Sequence, residues 1–254
     1  MPESYEQLRD TALANLKNLM DTLQSSPSTT GKGKILAYWL NDYARLLQSE
    51  QSFDPKKLIR YKRGSIVKVH LGYNIGSEEG GLHYAVVMDN AETLSSPTVT
   101  VIPLTSIKPN FDLSKMHFSR VFLGDEVYRS LNANLESELS SAKMRLTELM
   151  KKSEELTNDK KATPEEMAAI REETSALFRT IRYCQKMSTE VDRMKTGSIA
   201  LVGQITTLSK IRIYDPRYHN DALAEVRVSN ATLDKLDQKI TELFLHPNKA
   251  DDSE

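Results

Sequence analysis

Two short stretches carry side chains able to do chemistry. Gly76-Ser-Glu-Glu-Gly-Gly-Leu-His83 closes a glycine-rich, acidic loop on an imidazole, directly ahead of the apolar run Tyr84-Ala-Val-Val-Met88. Ser96-Pro-Thr-Val-Thr-Val-Ile-Pro-Leu-Thr-Ser106 is a second β-rich run, ending on two hydroxyls. Imidazole takes or gives a proton near neutral pH, and a hydroxyl holds a reacting oxygen or a moving proton by hydrogen bonding. Loops and strand ends are where a rigid scaffold presents reactive groups. The chemistry on offer is therefore proton transfer at one end of a small sheet. Against it stand plainer roles: a histidine hydrogen-bonded at a strand start, and hydroxyls that form turns. The glycine spacing matches neither a P-loop nor a dinucleotide fingerprint.

Composition narrows the class. The 254 residues are 39% hydrophobic and 27% charged, which is ordinary for a globular chain of one or two domains. A net charge of -1 announces no general polyanion binder, although it leaves room for a local basic patch. The single cysteine, Cys184, excludes an intramolecular disulfide and a cysteine-based zinc site, and its helical surroundings suit a small core residue. The five histidines lack metal-binding spacing, so neither a metal nor another cofactor is expected. No apolar run approaches a membrane span, and the N-terminus lacks the features of a signal peptide. A soluble, cytoplasmic protein is expected.

The elements that must position His83 and Thr105 follow from periodicity. Leu8, Ala12, Leu16, Leu19 and Leu23 recur at helical spacing, and so do Ile35, Leu36, Trp39, Leu40, Tyr43, Leu46 and Leu47. Ser25 to Gly33 reads as the loop between the two helices. Asp54 and Pro55 suggest a further helix start. From Lys62 the pattern becomes that of strands: Ile66–His70, Tyr84–Met88, Thr98–Leu104 and Ser119–Leu123. It then turns helical again through Leu131, Leu135, Leu139, Ala142, Leu146, Leu149 and Leu156. A second long helix opens at Thr163-Pro-Glu-Glu166, which has the form of a capping box. These two helices are expected to fold back as an antiparallel hairpin with a coiled-coil-like seam. Strands resume at Gly197–Gly203 and Ile205–Leu208, and a helix from about Ala231 closes the chain. The expected domains are residues 1–60 as a helical extension, 61–124 with 195–245 as a β domain and closing helix, 125–194 as an inserted hairpin, and 246–254 as a disordered tail.

The β part resembles the MazF/PemK toxins of bacterial type II toxin–antitoxin systems. Arg63-Gly-Ser-Ile-Val-Lys-Val69 is similar to that family's opening Arg-Gly-Asp strand. Gly76 to Val87 is similar to its GSEQGGxRPVVV loop and strand, and Ser96 to Thr105 to its SPTxxVxxxT strand. Ser198-Ile-Ala-Leu-Val-Gly-Gln-Ile-Thr-Thr-Leu-Ser-Lys210 is similar to its SVxLxxQIRTLDK segment. The resemblance implies an α+β fold: a small SH3-like curled antiparallel sheet, here with N-terminal helices and an inserted helical hairpin. It also implies a homodimeric endoribonuclease that cleaves single-stranded RNA without a metal. The ribose 2′-OH is the internal nucleophile, and an antitoxin protein covers the site.

Carried over residue by residue, the family's catalytic arginine and threonine fall on His83 and Thr105. Arginine supplies charge and forked donors but is a poor base. Histidine exchanges that grip for proton transfer. Ser106 supports Thr105, and Glu78 is expected to bond backbone donors within its loop. Tyr73 is a candidate to stack on a base. Lys62, Arg63, Lys108 and Arg120 are candidate phosphate contacts. Glu79 in place of a glutamine and Thr206 in place of an arginine thin out the positive charge, and Tyr84 stands where the family has a proline. Two alternatives stay open: a non-catalytic interaction protein of the same fold, and a regulator that binds RNA or DNA without cutting.

Overall fold

The computed structural model describes residues 4–25, 27–90, 93–108, 111–158, 163–194 and 197–245. The tail 246–254 and most of the hairpin connector (159–162) lie outside the described residues. The chain divides into two units, residues up to 54 with 70–82, and residues 55–69 with 83 onward.

In the first unit, α1 (Tyr5–Gln24) begins at a capping box in which Ser4 and Gln7 satisfy each other's backbone N–H groups. α2 is Thr30–Glu50. Gly33 lets it approach α1 closely, since a Cβ there would lie 3.1 Å from that of Leu23. No residue of α1 is buried, and α2 buries Leu36 alone. Trp39 stacks on His70 at 4.4 Å and 23°. The loop after His70 is closed at its base by Leu71 N–H to Gly81 O and Gly81 N–H to Gly72 O, both 2.7 Å. This geometry explains two of its glycines. Gly81 adopts φ +85°, and a Cβ on Gly80 would sit 3.0 Å from the Gly72 carbonyl.

The sheet comprises β1 (Ile66–His70), β2 (Leu82–Val87), β3 (Thr98–Ser106), β4 (Val121–Gly124), β5 (Ser198–Ala200), β6 (Thr206–Ser209) and β7 (Ile213–Asp215). The order is β4-β5-β3-β2-β1-β7, with β6 also paired to β3. β3 is the organiser. It takes β2 on one edge through Val101–Pro103, and on the other it takes β6 through Thr98–Val101 and β5 through Leu104–Ser106. β3 thus changes partner along one edge, from β6 to β5. The sequence segments on both sides of the hairpin do join one sheet. β7 was not singled out as a strand: it is three residues long and defined only by pairing with distant β1.

The two faces of the sheet bury different sets of side chains. Ile66, Val86, Met88, Ile102, Leu104, Val121, Leu123 and Ala200 join one core. Leu131, Leu135, Cys184, Met187 and Met194 of the hairpin and Leu233 and Leu236 of the closing helix complete it. The alternate residues Val67, Val69, Ala85, Val87, Val99 and Val101 are buried on the opposite face. The hairpin is α3 (Glu126–Asn158) and α4 (Pro164–Arg193), and α4 starts with the expected Thr163–Glu166 capping box. α5 (Asn230–Phe244) is capped by Ser229. Near Asp54, where a helix start was expected, one 3₁₀ turn forms at Pro55–Lys57 instead. Ile59 donates its N–H to Arg217 O at 3.1 Å, which draws the chain out extended toward β1.

Candidate active site

The antiparallel register of β2 and β3 pairs Ala85 with Pro103, Val86 with Ile102 and Val87 with Val101. The ladder ends at Ala85 and Pro103, and His83 and Thr105 each lie two residues beyond that last pair, on the face that Ala85 and Pro103 share by alternation. Both residues are half-buried. The His83 Nδ1 lies 3.0 Å from Leu104 O. A carbonyl oxygen can only accept, so Nδ1 carries the hydrogen and a neutral ring has its lone pair on Nε2. Across β3, Thr105 pairs with Ile199 of β5, which in turn pairs with Phe122 of β4. One lateral row of the sheet thus carries a hydroxyl, a buried aliphatic group and an aromatic ring 37% exposed. The neighbouring row, Leu104, Ala200 and Val121, faces the helical core.

The other sequence candidates are distributed more widely. Ser106 alternates to the opposite face from Thr105 and is exposed. Glu78 is exposed, and its carboxylate accepts from Ile75 N–H at 3.4 Å within its own loop. Tyr73 is half-buried in that loop, which belongs to the first unit with Glu78. Arg63 donates to Met88 O and to the Asp237 carboxylate, tying the end of β2 to α5. Lys62 is exposed, and its backbone N–H donates to Ser65 Oγ at 3.2 Å. Lys108 is exposed two residues beyond β3. Arg120 is half-buried immediately before β4, with its backbone N–H on His117 O at 3.0 Å. Among the described residues no group of three His, Cys, Asp or Glu is placed to hold a metal.

Sequence reasoning missed a buried polar cluster on the core side of the same strands. Glu190 of α4, 7% exposed, accepts from Lys68 Nζ at 3.0 and 2.8 Å, from Tyr84 Oη at 2.7 Å and from Arg193 Nη1 at 3.1 Å. Burial pushes the Glu190 carboxyl up, but the Lys68 and Tyr84 hydrogen bonds outweigh it and leave the pKa below the ordinary value. Burial, and then the bond to Glu190, push the Tyr84 phenol well above its ordinary value. Asp215, opposite Lys68 in the β1–β7 register, is pushed up to about 6, chiefly by burial. The Leu223 N–H opposes that rise, whereas Asp221 and Glu190 add to it. Two signals were present: a lysine within the apolar Ile66–Val69 run, and a glutamate on the helix stripe between Met187 and Met194.

No helix among the described residues is long and apolar enough to cross a membrane. Comparison with curated proteins gives no match. Residues 62–178, from just before β1 to the middle of α4, match the model of the PemK-like, MazF-like toxins of type II toxin–antitoxin systems. The match takes in the segments around Arg63, His83 and Thr105 but stops short of Ser198–Lys210. The part of the chain that carries His83 and Thr105 is thus similar to the PemK-like, MazF-like toxins of type II toxin–antitoxin systems.

Proposed function

We propose that this chain is an endoribonuclease toxin that cleaves single-stranded RNA by transesterification. His83 Nε2 takes the proton of a ribose 2′-OH, and the 2′-oxygen attacks the adjacent phosphorus. The bond to the 5′-oxygen breaks, that oxygen takes a proton from the imidazolium, and a 2′,3′-cyclic phosphate remains. The Thr105 hydroxyl donates to a non-bridging oxygen, where negative charge grows. Lys62, Lys108 and Arg120 contribute positive charge along the RNA, Ser106 steadies the strand end beside Thr105, and Tyr73 offers a ring to an unstacked base. The protein acts in the cytoplasm as a homodimer and is held in check by an antitoxin protein. The observation that supports this reading is the contact of His83 Nδ1 with Leu104 O at 3.0 Å, which brings the imidazole to the residue next to Thr105.

The test is cleavage of unstructured RNA in the presence of a chelator, with the product ends identified. His83→Ala and Thr105→Ala should each lower the rate by about 10²-fold or more. Normal cutting by both variants would sink the proposal.

A second reading keeps the fold and drops catalysis, so that the chain acts by binding a partner. One observation favours it: Arg63 is engaged by Met88 and Asp237, which takes a cation from a site already short of positive charge. Growth arrest that survives His83→Ala would support this reading over the first.

A further inference from the structure

Residues 93–95, just before β3, and the segment leading into β1 border a cleft of about 470 Å³ lined by Lys56, Arg60, Thr93, Leu94 and Ser95. It lies at the opposite end of β3 from Thr105. Ser95 comes just before the strand begins at Thr98, and Thr105 is seven positions further on, roughly 20 Å along a strand.

Both walls are fixed from beneath. Lys210, 1% exposed, donates its ammonium to Thr93 O at 2.9 Å and its backbone N–H to Pro97 O at 2.9 Å. The Thr93 and Ser95 hydroxyls bond each other at 3.1 Å. On the other wall, Ile59 N–H bonds Arg217 O at 3.1 Å, and the buried Tyr61 donates its hydroxyl to Pro216 O at 2.8 Å. Arg60 projects between these two anchors and is exposed, as is Lys56.

The chemistry of the lining is one-sided. Among the described residues that line it, Lys56 and Arg60 are the charged ones, and both are basic. Arg217, beside Ile59, has a buried Nε without a hydrogen-bond partner. Tyr218, next in sequence, is 54% exposed, and Leu94 is 42% exposed. Two cations with hydroxyls suit phosphodiester oxygens, and an exposed ring one residue past the Arg217 anchor suits a base with no partner strand. An acidic peptide would use the cations but neither the ring nor the hydroxyl pair.

We propose that this cleft is a second RNA-binding site, which grips the backbone of the same single strand well away from His83 and Thr105. The identity of the ligand rests on the endoribonuclease reading; the cleft and its charge do not. Such a grip gives longer strands an affinity that fragments confined to the His83 end cannot gain.

The test uses the full chain carrying His83→Ala and a labelled single-stranded RNA of about twelve nucleotides. Affinity is measured against salt. Adding Lys56→Ala and Arg60→Ala should reduce the slope of log affinity on log salt by about 1.4, the loss of two phosphate contacts to a single strand. Affinity for a trinucleotide should stay as it was, and so should the melting temperature. Tyr218→Ala should weaken the longer RNA without altering the slope. An unchanged slope in the double variant overturns the proposal, and so does a chain that binds no RNA. Polyglutamate that displaces the RNA as well as unlabelled RNA does overturns it too, by assigning the cleft to an acidic protein. Binding with the expected slopes but no cleavage by the unsubstituted chain would end the nuclease reading and leave the cleft standing. Cleavage with an unchanged slope would do the reverse.

Discussion

Glu190 occupies a place where the seam of α4 calls for an apolar side chain, and three donors from β1, β2 and α4 itself meet on its carboxylate. A paired buried charge is not a large stabiliser, but breaking the pair is costly because the remaining charge is stranded. Glu190→Gln should therefore destabilise the chain by about 3–5 kcal/mol in urea denaturation, with Lys68 left buried. Glu190→Leu combined with Lys68→Met should cost much less. Equal losses from the single and double variants would show that the ion pair does not set the effect. Asp215 gives a pH signature of the opposite sense to that of Glu190. Its proton leaves the unfolded chain near 3.8 and the folded chain near 6, so between those values the folded form holds more protons. Stability from this group therefore falls as pH rises through that window and is level above it. Glu190, held below its ordinary value, contributes stability above about 4.5 that is lost as pH falls through its folded pKa. Asp215→Asn should match the parent below the Asp215 window and melt at a higher temperature above it. Parallel melting curves on both sides would exclude Asp215 as the source. The types of His83 and Thr105 were legible in the sequence; the contact of Nδ1 with Leu104 O and the Glu190 cluster were not. Lys68 and Glu190 stand 122 positions apart, and no local pattern announces such a meeting.

At the scale of elements, signals within one turn of helix were readable, whereas pairing between distant segments was not. The capping box at Thr163 depends on neighbours three positions away and stands in the structure; of the stripe expected through Ile170, Thr174, Leu177, Ile181, Cys184 and Val191, Leu177 and Cys184 are buried and Ile181 is exposed. The three-residue β7 depends on β1. The switch of β3 from β6 to β5 depends on the short 3₁₀ turn at Val202–Gln204 between those two strands. The loop from Leu71 to Gly81 makes a sharper case. Its glycines were legible as a loop, but which of them is needed comes only from the backbone. At Gly81 a side chain would meet no atom within 4 Å, yet φ is +85°. Gly81→Ala should cost about 1–2 kcal/mol from backbone strain alone. Gly80→Ala should disturb the closure instead, because its Cβ would press on the Gly72 carbonyl at 3.0 Å. Denaturation of the two variants, with hydrogen exchange at the Leu71 and Gly81 amides, separates strain from clash. A Gly81→Ala chain as stable as the parent would remove the strain argument.

For the whole molecule, the sequence made a sheet interrupted by a helical pair legible, because the period of the apolar residues changes at the interruption and changes back. It did not make legible how little α1 buries, since a striped helix reads the same whether or not its stripe is covered. The site of the interruption matters further. α3 leaves from the end of β4 and α4 returns to the start of β5, and Gly124 and Ser198 are partners in the ladder. The long excursion therefore stands where a tight turn would otherwise join two neighbouring strands, and nothing in the sheet's connectivity fixes its length. Its root is welded to the strands through Leu131, Leu135, Cys184 and Met187, while no described residue between Ala142 and Leu177 belongs to that interior. Relatives are free to lengthen, shorten or lose the outer stem by drift without unlearning the fold, whereas the root and the strands beneath it have to change in concert.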